Sequence, residues 1–199
     1  MDAIITSCCA AAFKHYLIPG ANLLYNSPMP QTRVNRDRYA VHRAALAPII
    51  PGATNADLES ACSSAIELGE AGFAEFLCHQ GLAPLWDERI EQYPGQLPVS
   101  ADFTGLLHQA RLHATGSYLI QHHNLARLKE ILDKAGVIHA VIKGAHTREV
   151  YYAIPALRPA TDIDVLVRPR DKVRAIKAFQ AQGFEFTGAP ETISHEASL

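Results

Sequence analysis

Residues 137–186 constrain the fold more than any other stretch, because their hydrophobic periodicity alternates between that of strands and that of helices. β-branched runs of strand length are each followed by apolar residues at helical spacing. Strands that alternate with helices in this way predict an α/β (α+β) core. The predicted elements are strands over 137–142, 160–167 and 184–187, and helices over 144–152 and 169–182. The second of these helices is predicted to face Val173, Ile176 and Phe179 inward.

Two acidic residues lie on the second of these predicted strands. Asp162 and Asp164 are two positions apart, so both side chains leave the same face of the strand. The residues predicted to leave the opposite face and to form core are Ile163, Val165 and Val167. Two like charges on one face repel each other unless a cation lies between them, which suggests a divalent metal site. The alternatives are a solvent-exposed strand face, or ion pairs with Arg158 or Arg168.

A lysine and a glycine occupy the predicted turn between the first strand and the following helix. Gly144 allows backbone N–H groups to approach a phosphate closely, and a helix N-terminus attracts anions. Lys143 could reach the same phosphates, although a lysine covering the sheet edge is the alternative. Arg158 is either a phosphate ligand or a structural partner of Asp162.

These motifs together resemble the DNA polymerase β-like nucleotidyltransferase superfamily and, more narrowly, its uncharacterised nucleotidyltransferase family. The resemblance covers the last third of the chain closely and the helical region before it more loosely. It implies a polymerase-β-like core, a small mixed sheet with helices, preceded by a mostly helical region. The residues that carry the resemblance are Lys143, Gly144, Tyr151, Tyr152, Pro155, Arg158, the block from Asp162 to Val167, Gly183 and Phe184.

The resemblance also implies a reaction. Asp162 and Asp164 would be the catalytic acids that bind Mg²⁺ (or Mn²⁺), and a nucleoside monophosphate would pass from an NTP to an unknown acceptor hydroxyl. The superfamily commonly has serine or glycine after the glycine of the turn, but this chain has Ala145, so Thr147 is the candidate to supply a hydroxyl. The implied nucleotide- and phosphate-binding residues are Lys143, Gly144, Thr147 and Arg158.

One feature departs from the superfamily pattern. These enzymes add a third carboxylate on a later strand, and Glu185 is the one acid within the predicted third strand. We therefore expect either a chain truncated at its C-terminus or a short member with impaired chemistry. The alternative function is a degenerate, non-catalytic module that binds nucleotide or another protein.

The rest of the sequence predicts helices and a division of the chain into three regions. We expect a poorly defined segment over residues 1–50, a helical region over 51–136 and the nucleotidyltransferase-like core over 137–199. Within these, short helices are predicted over 3–16 and from residue 33, and a long helix over 101–135. Thr54 or Asn55 and Ser100 are predicted N-caps, and Gly136 a left-handed C-cap.

Composition and charge exclude several classes of function. The formal net charge of -2 and pI near 6.5 give no strong nucleic-acid signal. No apolar run reaches the length of a membrane span, and the four cysteines form no Cys-x-x-Cys pair, so reduced thiols and a cytoplasmic location are expected. Histidines at 108, 113, 122 and 123 lack the spacing that places two ligands on one helix face.

Overall fold

The computed structural model describes residues 3–8, 34–185 and 196–198, with side chains for residues 39–185. The chain forms two compact units. The helical unit contains the described residues 34–115, and the sheet unit contains 3–8, 116–185 and 196–198. In the described part of the chain, no helix combines the length and the apolar character that crossing a membrane requires. The domain boundaries predicted from the sequence stay a prediction.

The helical unit is built on one aromatic core. Trp86 is fully buried there and contacts the rings of Phe73 and Phe103 edge-on. The Trp86 indole N–H donates a hydrogen bond of 2.8 Å to the carbonyl of Ala45, so burial leaves that donor satisfied. The helices of this unit are α1 (Val34–Leu46), α2 (Asn55–Leu68), α3 (Glu70–His79), α4 (Ala83–Glu91) and the first part of α5 (Ala101–Lys134).

Local start and stop signals in the sequence define these helices. Thr54 is the N-cap of α2, and it forms a capping box with Asp57. The Ser100 hydroxyl accepts the backbone N–H of Phe103 and so caps the start of α5. Gly136, just after α5, has φ 63°. This left-handed conformation commonly ends a helix, and glycine adopts it with little steric strain. The predicted caps at Thr54, Ser100 and Gly136 are therefore confirmed.

The sheet unit contains the strands β1 (Ala3–Cys8), β2 (His139–Ile142), β3 (Asp162–Val167) and β4 (Glu196–Ser198). They form one sheet in the order β2-β3-β1-β4. β3 lies between β2 and β1 and is antiparallel to both, whereas β4 is parallel to β1, so the sheet is mixed. Helix α6 (Lys143–Tyr151) follows β2, helix α7 (Lys172–Gln180) follows β3, and the last part of α5 belongs to the same unit, so the α+β class is confirmed.

One face of β3 forms the core of the sheet unit. Its apolar side chains are almost fully buried and pack in one cluster with Leu132 of α5 and Phe179 of α7. The strand therefore has a face committed to packing, and the acidic positions alternate with it. The residues on the buried face are Ile163, Val165 and Val167, as predicted.

Three local predictions were wrong. Residues 3–8 form β1 rather than part of a helix; a short apolar run is ambiguous in period, and pairing with β3 decides it. Val173 was predicted to face inward but is 64% exposed, because the inward positions of this segment are Asp171, Ala175 and Phe179. Phe184 and Glu185 are not in a strand, and the rest of the predicted third strand, residues 186–187, lies outside the described residues.

Candidate functional site

The pairing of β2 with β3 brings the lysine–glycine turn to the acidic strand. Ile142, the last residue of β2, is the register partner of Asp164 in β3. Helix α6 begins at the next residue, Lys143, so the turn lies beside the end of β3 that carries Asp162 and Asp164. Residues separated by about twenty positions in the sequence are therefore neighbours because of one antiparallel register.

Lys143 and Asp164 form an ion pair. The Lys143 Nζ lies 3.3 Å from the Asp164 Oδ1. The Asp164 side chain is only 2% exposed, whereas half of the Lys143 side chain is exposed. A buried carboxylate is costly unless a cation compensates it, and here an ammonium supplies that compensation. The charge of Asp164 is therefore balanced by a residue of the lysine–glycine turn, and the divalent metal ion between Asp162 and Asp164 stays a prediction.

The backbone at this turn has an unusual conformation. Lys143 has φ 53° and is, among the described residues, the one non-glycine residue with positive φ. Side chains other than glycine adopt this left-handed region at a cost, and such residues cluster at functional sites. Lys143 follows the last residue of β2 directly and begins α6, and its ammonium forms the ion pair with Asp164.

Arg158 lies beside the glycine of the turn. A Cβ built on Gly144 would lie 3.4 Å from the Arg158 Nη1 and 3.5 Å from the Ala160 Cβ. The Arg158 guanidinium also lies over the Tyr152 ring, 6.0 Å from its centroid. The structure therefore brings Lys143, Gly144, Arg158 and Asp164 to one place, with two cationic side chains around a helix N-terminus.

Thr147 is engaged within its own helix. Its hydroxyl donates a hydrogen bond of 2.8 Å to the carbonyl of Lys143, four residues earlier. A threonine hydroxyl has one hydrogen to donate, so it must leave this carbonyl before it can donate to a phosphate. Asp162 is half-buried at the start of β3, two positions before Asp164. Its carboxylate and that of Asp164 are hard oxygen donors of the kind that Mg²⁺ prefers.

A comparison with protein-family models assigns the chain to a family. The model described as "Uncharacterised nucleotidyltransferase" matches residues 70–198, which contain every residue of the site described above. The chain belongs to this family. Searches of curated proteins and of solved structures found no match. Membership of the uncharacterised nucleotidyltransferase family supports a general nucleotidyltransferase role and implies a nucleotide substrate.

A second acidic group of this family member lies in its helical unit. Asp87 and Glu91 of α4 and His108 of α5 have ligand atoms within 4.8 Å of one another, and the group could hold a metal ion. Arg111 already reaches it, with its Nε 2.9 Å from Asp87 and its Nη2 2.6 Å from Glu91. Burial raises the pKa of Asp87, while His108 and Arg111 oppose that shift. The guanidinium supplies the positive charge, so an ion pair accounts for the cluster.

Sequence reasoning missed this cluster because it compared histidines within one helix. The partners of His108 come from α4, twenty-one residues away for Asp87, and helical spacing carries no information about a neighbouring helix. It also missed Gln121 of α5 and Arg148 of α6, two polar residues that are almost fully buried. The one available signal was that Arg148 lies four residues after Gly144 and therefore on the same face of α6.

Proposed function

We propose that this protein is a metal-dependent nucleotidyltransferase that transfers a nucleoside monophosphate from an NTP to an unidentified acceptor hydroxyl. The acceptor oxygen forms a bond to the α-phosphorus and the bond from that phosphorus to the bridging oxygen breaks, so pyrophosphate leaves with the electron pair of that bond while the hydroxyl proton passes to solvent water. Asp162 and Asp164 would bind Mg²⁺, which neutralises the phosphate charge when it is bound. The free thiols of Cys62 and Cys78 fit a reducing compartment, and we propose a cytoplasmic location.

The observation that carries this proposal is the 3.3 Å ion pair between Lys143 and the buried Asp164. This ion pair supports the proposal, because it joins the Lys143 ammonium, at the N-terminus of α6, to a carboxylate that could bind a metal ion. In the proposed reaction Lys143 exchanges Asp164 for the phosphates of the NTP, and Arg158 and the first N–H groups of α6 bind them from the side of Gly144. Thr147 would join them only after its hydroxyl leaves the carbonyl of Lys143.

Calorimetric titration with Mg²⁺ and each common NTP tests the binding half of the proposal. We expect the intact chain to bind NTP when Mg²⁺ is present, and the double variant Asp162→Asn/Asp164→Asn to lose that binding. Asp133→Asn is the matched control, because Asp133 is an exposed acid of α5 whose partner is Lys129. Equal binding by the wild type and the double variant would contradict the assignment of the two acids.

A non-catalytic module is the second candidate, and the same ion pair favours it. The Lys143 ammonium balances the charge of Asp164 without a metal ion, as in a site that has lost catalysis. Release of labelled pyrophosphate from NTP by the purified chain distinguishes the two candidates. Turnover that depends on Asp162 and Asp164 supports the enzyme, whereas nucleotide binding without turnover supports the module.

A further inference from the structure

Two buried polar side chains connect three segments behind the candidate site. Gln121 of α5 is 2% exposed and Arg148 of α6 is 1% exposed. The Arg148 Nη1 donates a hydrogen bond of 2.5 Å to the Gln121 Oε1, and the Gln121 Nε2 donates one of 2.6 Å to the carbonyl of Ala160. One side chain of α5 therefore holds α6 on one side and the segment that leads into β3 on the other.

The connected segments are those that carry the proposed ligands. Ala160 lies two residues before Asp162, and its Cβ lies against Gly144 as well. Gly144 and Arg148 are four residues apart on one face of α6, so the helix contacts the 158–160 segment near Gly144 and reaches it again through Gln121. Rotation or sliding of α6 would break these contacts and would move Lys143 relative to Asp164.

Burying the charged Arg148 side chain costs more free energy than apolar packing at the same place would. Arg148 also lies over the Tyr118 ring at 4.9 Å, and its Nε is 3.6 Å from a Glu149 carboxylate oxygen. A buried guanidinium requires such partners, and well-packed apolar residues often stabilise a core equally well or better. A network of directional hydrogen bonds instead fixes one geometry, which is what a site for phosphate and metal ligands requires.

We propose that Gln121 and Arg148 are positioning residues that set the lysine–glycine turn against the two acids of β3. This inference rests on the proposed function, because the geometry that they set is that of the proposed nucleotide site. Neither residue touches the nucleotide in this proposal. Gln121 acts through Ala160 on Asp162 and Asp164, and Arg148 acts through α6 on Lys143 and Gly144.

Two substitutions of Gln121 separate its contacts. Gln121→Met removes both hydrogen bonds at similar length, whereas Gln121→Glu keeps an acceptor for Arg148 and removes the donor to the Ala160 carbonyl. We expect both variants to weaken Mg²⁺–NTP binding by about tenfold or more while the protein remains folded. We also expect the backbone amide NMR signals of Lys143, Gly144, Asp162 and Asp164 to shift in the absence of any nucleotide.

Gln180→Met is the matched control, since Gln180 is exposed on α7 of the same unit. It is expected to change neither binding nor those four amide signals. Arg148→Lys retains a donor for Gln121 and should therefore bind Mg²⁺–NTP more tightly than Arg148→Met. If Gln121→Met does not fold, these two variants provide the test instead.

The two readouts separate the failure of this inference from the failure of the proposed function. A wild-type chain that binds no NTP refutes the proposed function, and the amide signals then decide the positioning role alone. Folded Gln121 variants with unchanged signals at Lys143, Gly144, Asp162 and Asp164 would overturn the inference. So would variants that lose thermal stability but bind Mg²⁺–NTP as the wild type does.

Discussion

At the scale of single residues, Lys143 combines a strained backbone with a charge that pairs with a buried acid. Its φ of 53° lies in the left-handed region, and its ammonium pairs with the buried Asp164. Glycine would adopt this backbone conformation more easily, but it has no charge to offer. The presence of lysine therefore indicates that the contribution of its ammonium offsets the strain of the backbone at this position.

Two substitutions of Lys143 measure that cost. Lys143→Ala and Lys143→Gly both remove the ammonium, but only glycine relieves the left-handed strain. We expect the glycine variant to be more stable than the alanine variant by about 1 kcal/mol in urea unfolding. Both variants should bind Mg²⁺–NTP more weakly than the wild type. Equal stability of the two would mean that the chain does not hold this backbone conformation in solution.

Cys62 is a second residue whose environment has a measurable consequence. Burial, together with the smaller effect of the charges of Glu70 and Glu59, raises the pKa of its thiol to about 11. Between the ordinary value of 9.0 and about 11, the unfolded chain releases this proton while the folded chain retains it. Stability should therefore fall as the pH rises through this window, because the folded state then binds more protons than the unfolded state.

Cys62→Ala isolates this contribution. We expect the wild type to lose about 2 kcal/mol more stability than the variant between pH 8.5 and 11, apart from a constant offset due to the smaller side chain. Urea unfolding followed by the fluorescence of Trp86 is the measurement, since both residues belong to the core of the helical unit. Parallel pH profiles of the two proteins would contradict the raised pKa.

At the scale of elements, the sequence was most informative where short-range chemistry determines structure. Thr54, Ser100 and Gly136 mark helix ends through contacts with residues a few positions away, so they could be recognised without tertiary information. The alternation of Asp162 and Asp164 with a buried apolar face could be recognised for the same reason.

Elements whose identity depends on distant partners could not be predicted in this way. β1 is a strand because β3 pairs with it across more than 150 residues, whereas its own apolar run fits a helix as well. Helix α4 was not predicted either. Pro84 occupies the first turn of this helix, a position that proline favours, and Pro84 and Trp86 are both buried.

The candidate site shows the same limit. The lysine–glycine turn and the acidic strand could be found from the sequence, but their ion pair depends on the register of β2 with β3. The connection through Gln121 and Arg148 depends on how α5 and α6 pack. A buried polar side chain is recognised by its partners, which no local pattern reveals.

At the scale of the whole molecule, the buried apolar residues that the structure describes form two cores. One core belongs to the helical unit and contains Trp86, which is the single tryptophan of the sequence. The other belongs to the sheet unit and contains the buried face of β3. Helix α5 contributes to both, with Leu107 in the first core and Leu132 in the second. Both of these leucines are fully buried, which makes them a matched pair.

Alanine substitution of each leucine should affect the unit to which it belongs. Removing a buried leucine side chain costs about 2–5 kcal/mol, because apolar contacts are lost and a cavity remains. We expect Leu107→Ala to lower the urea midpoint of Trp86 fluorescence, and Leu132→Ala to lower the hydrogen-exchange protection of the β3 amides from Ile163 to Val167.

Leu112→Ala is the control, since Leu112 is exposed on the same helix and should change stability by less than about 0.5 kcal/mol. Since the proposed site lies in the sheet unit, only Leu132→Ala should also weaken Mg²⁺–NTP binding, and equal effects of both substitutions on both readouts would show that the two cores unfold as one.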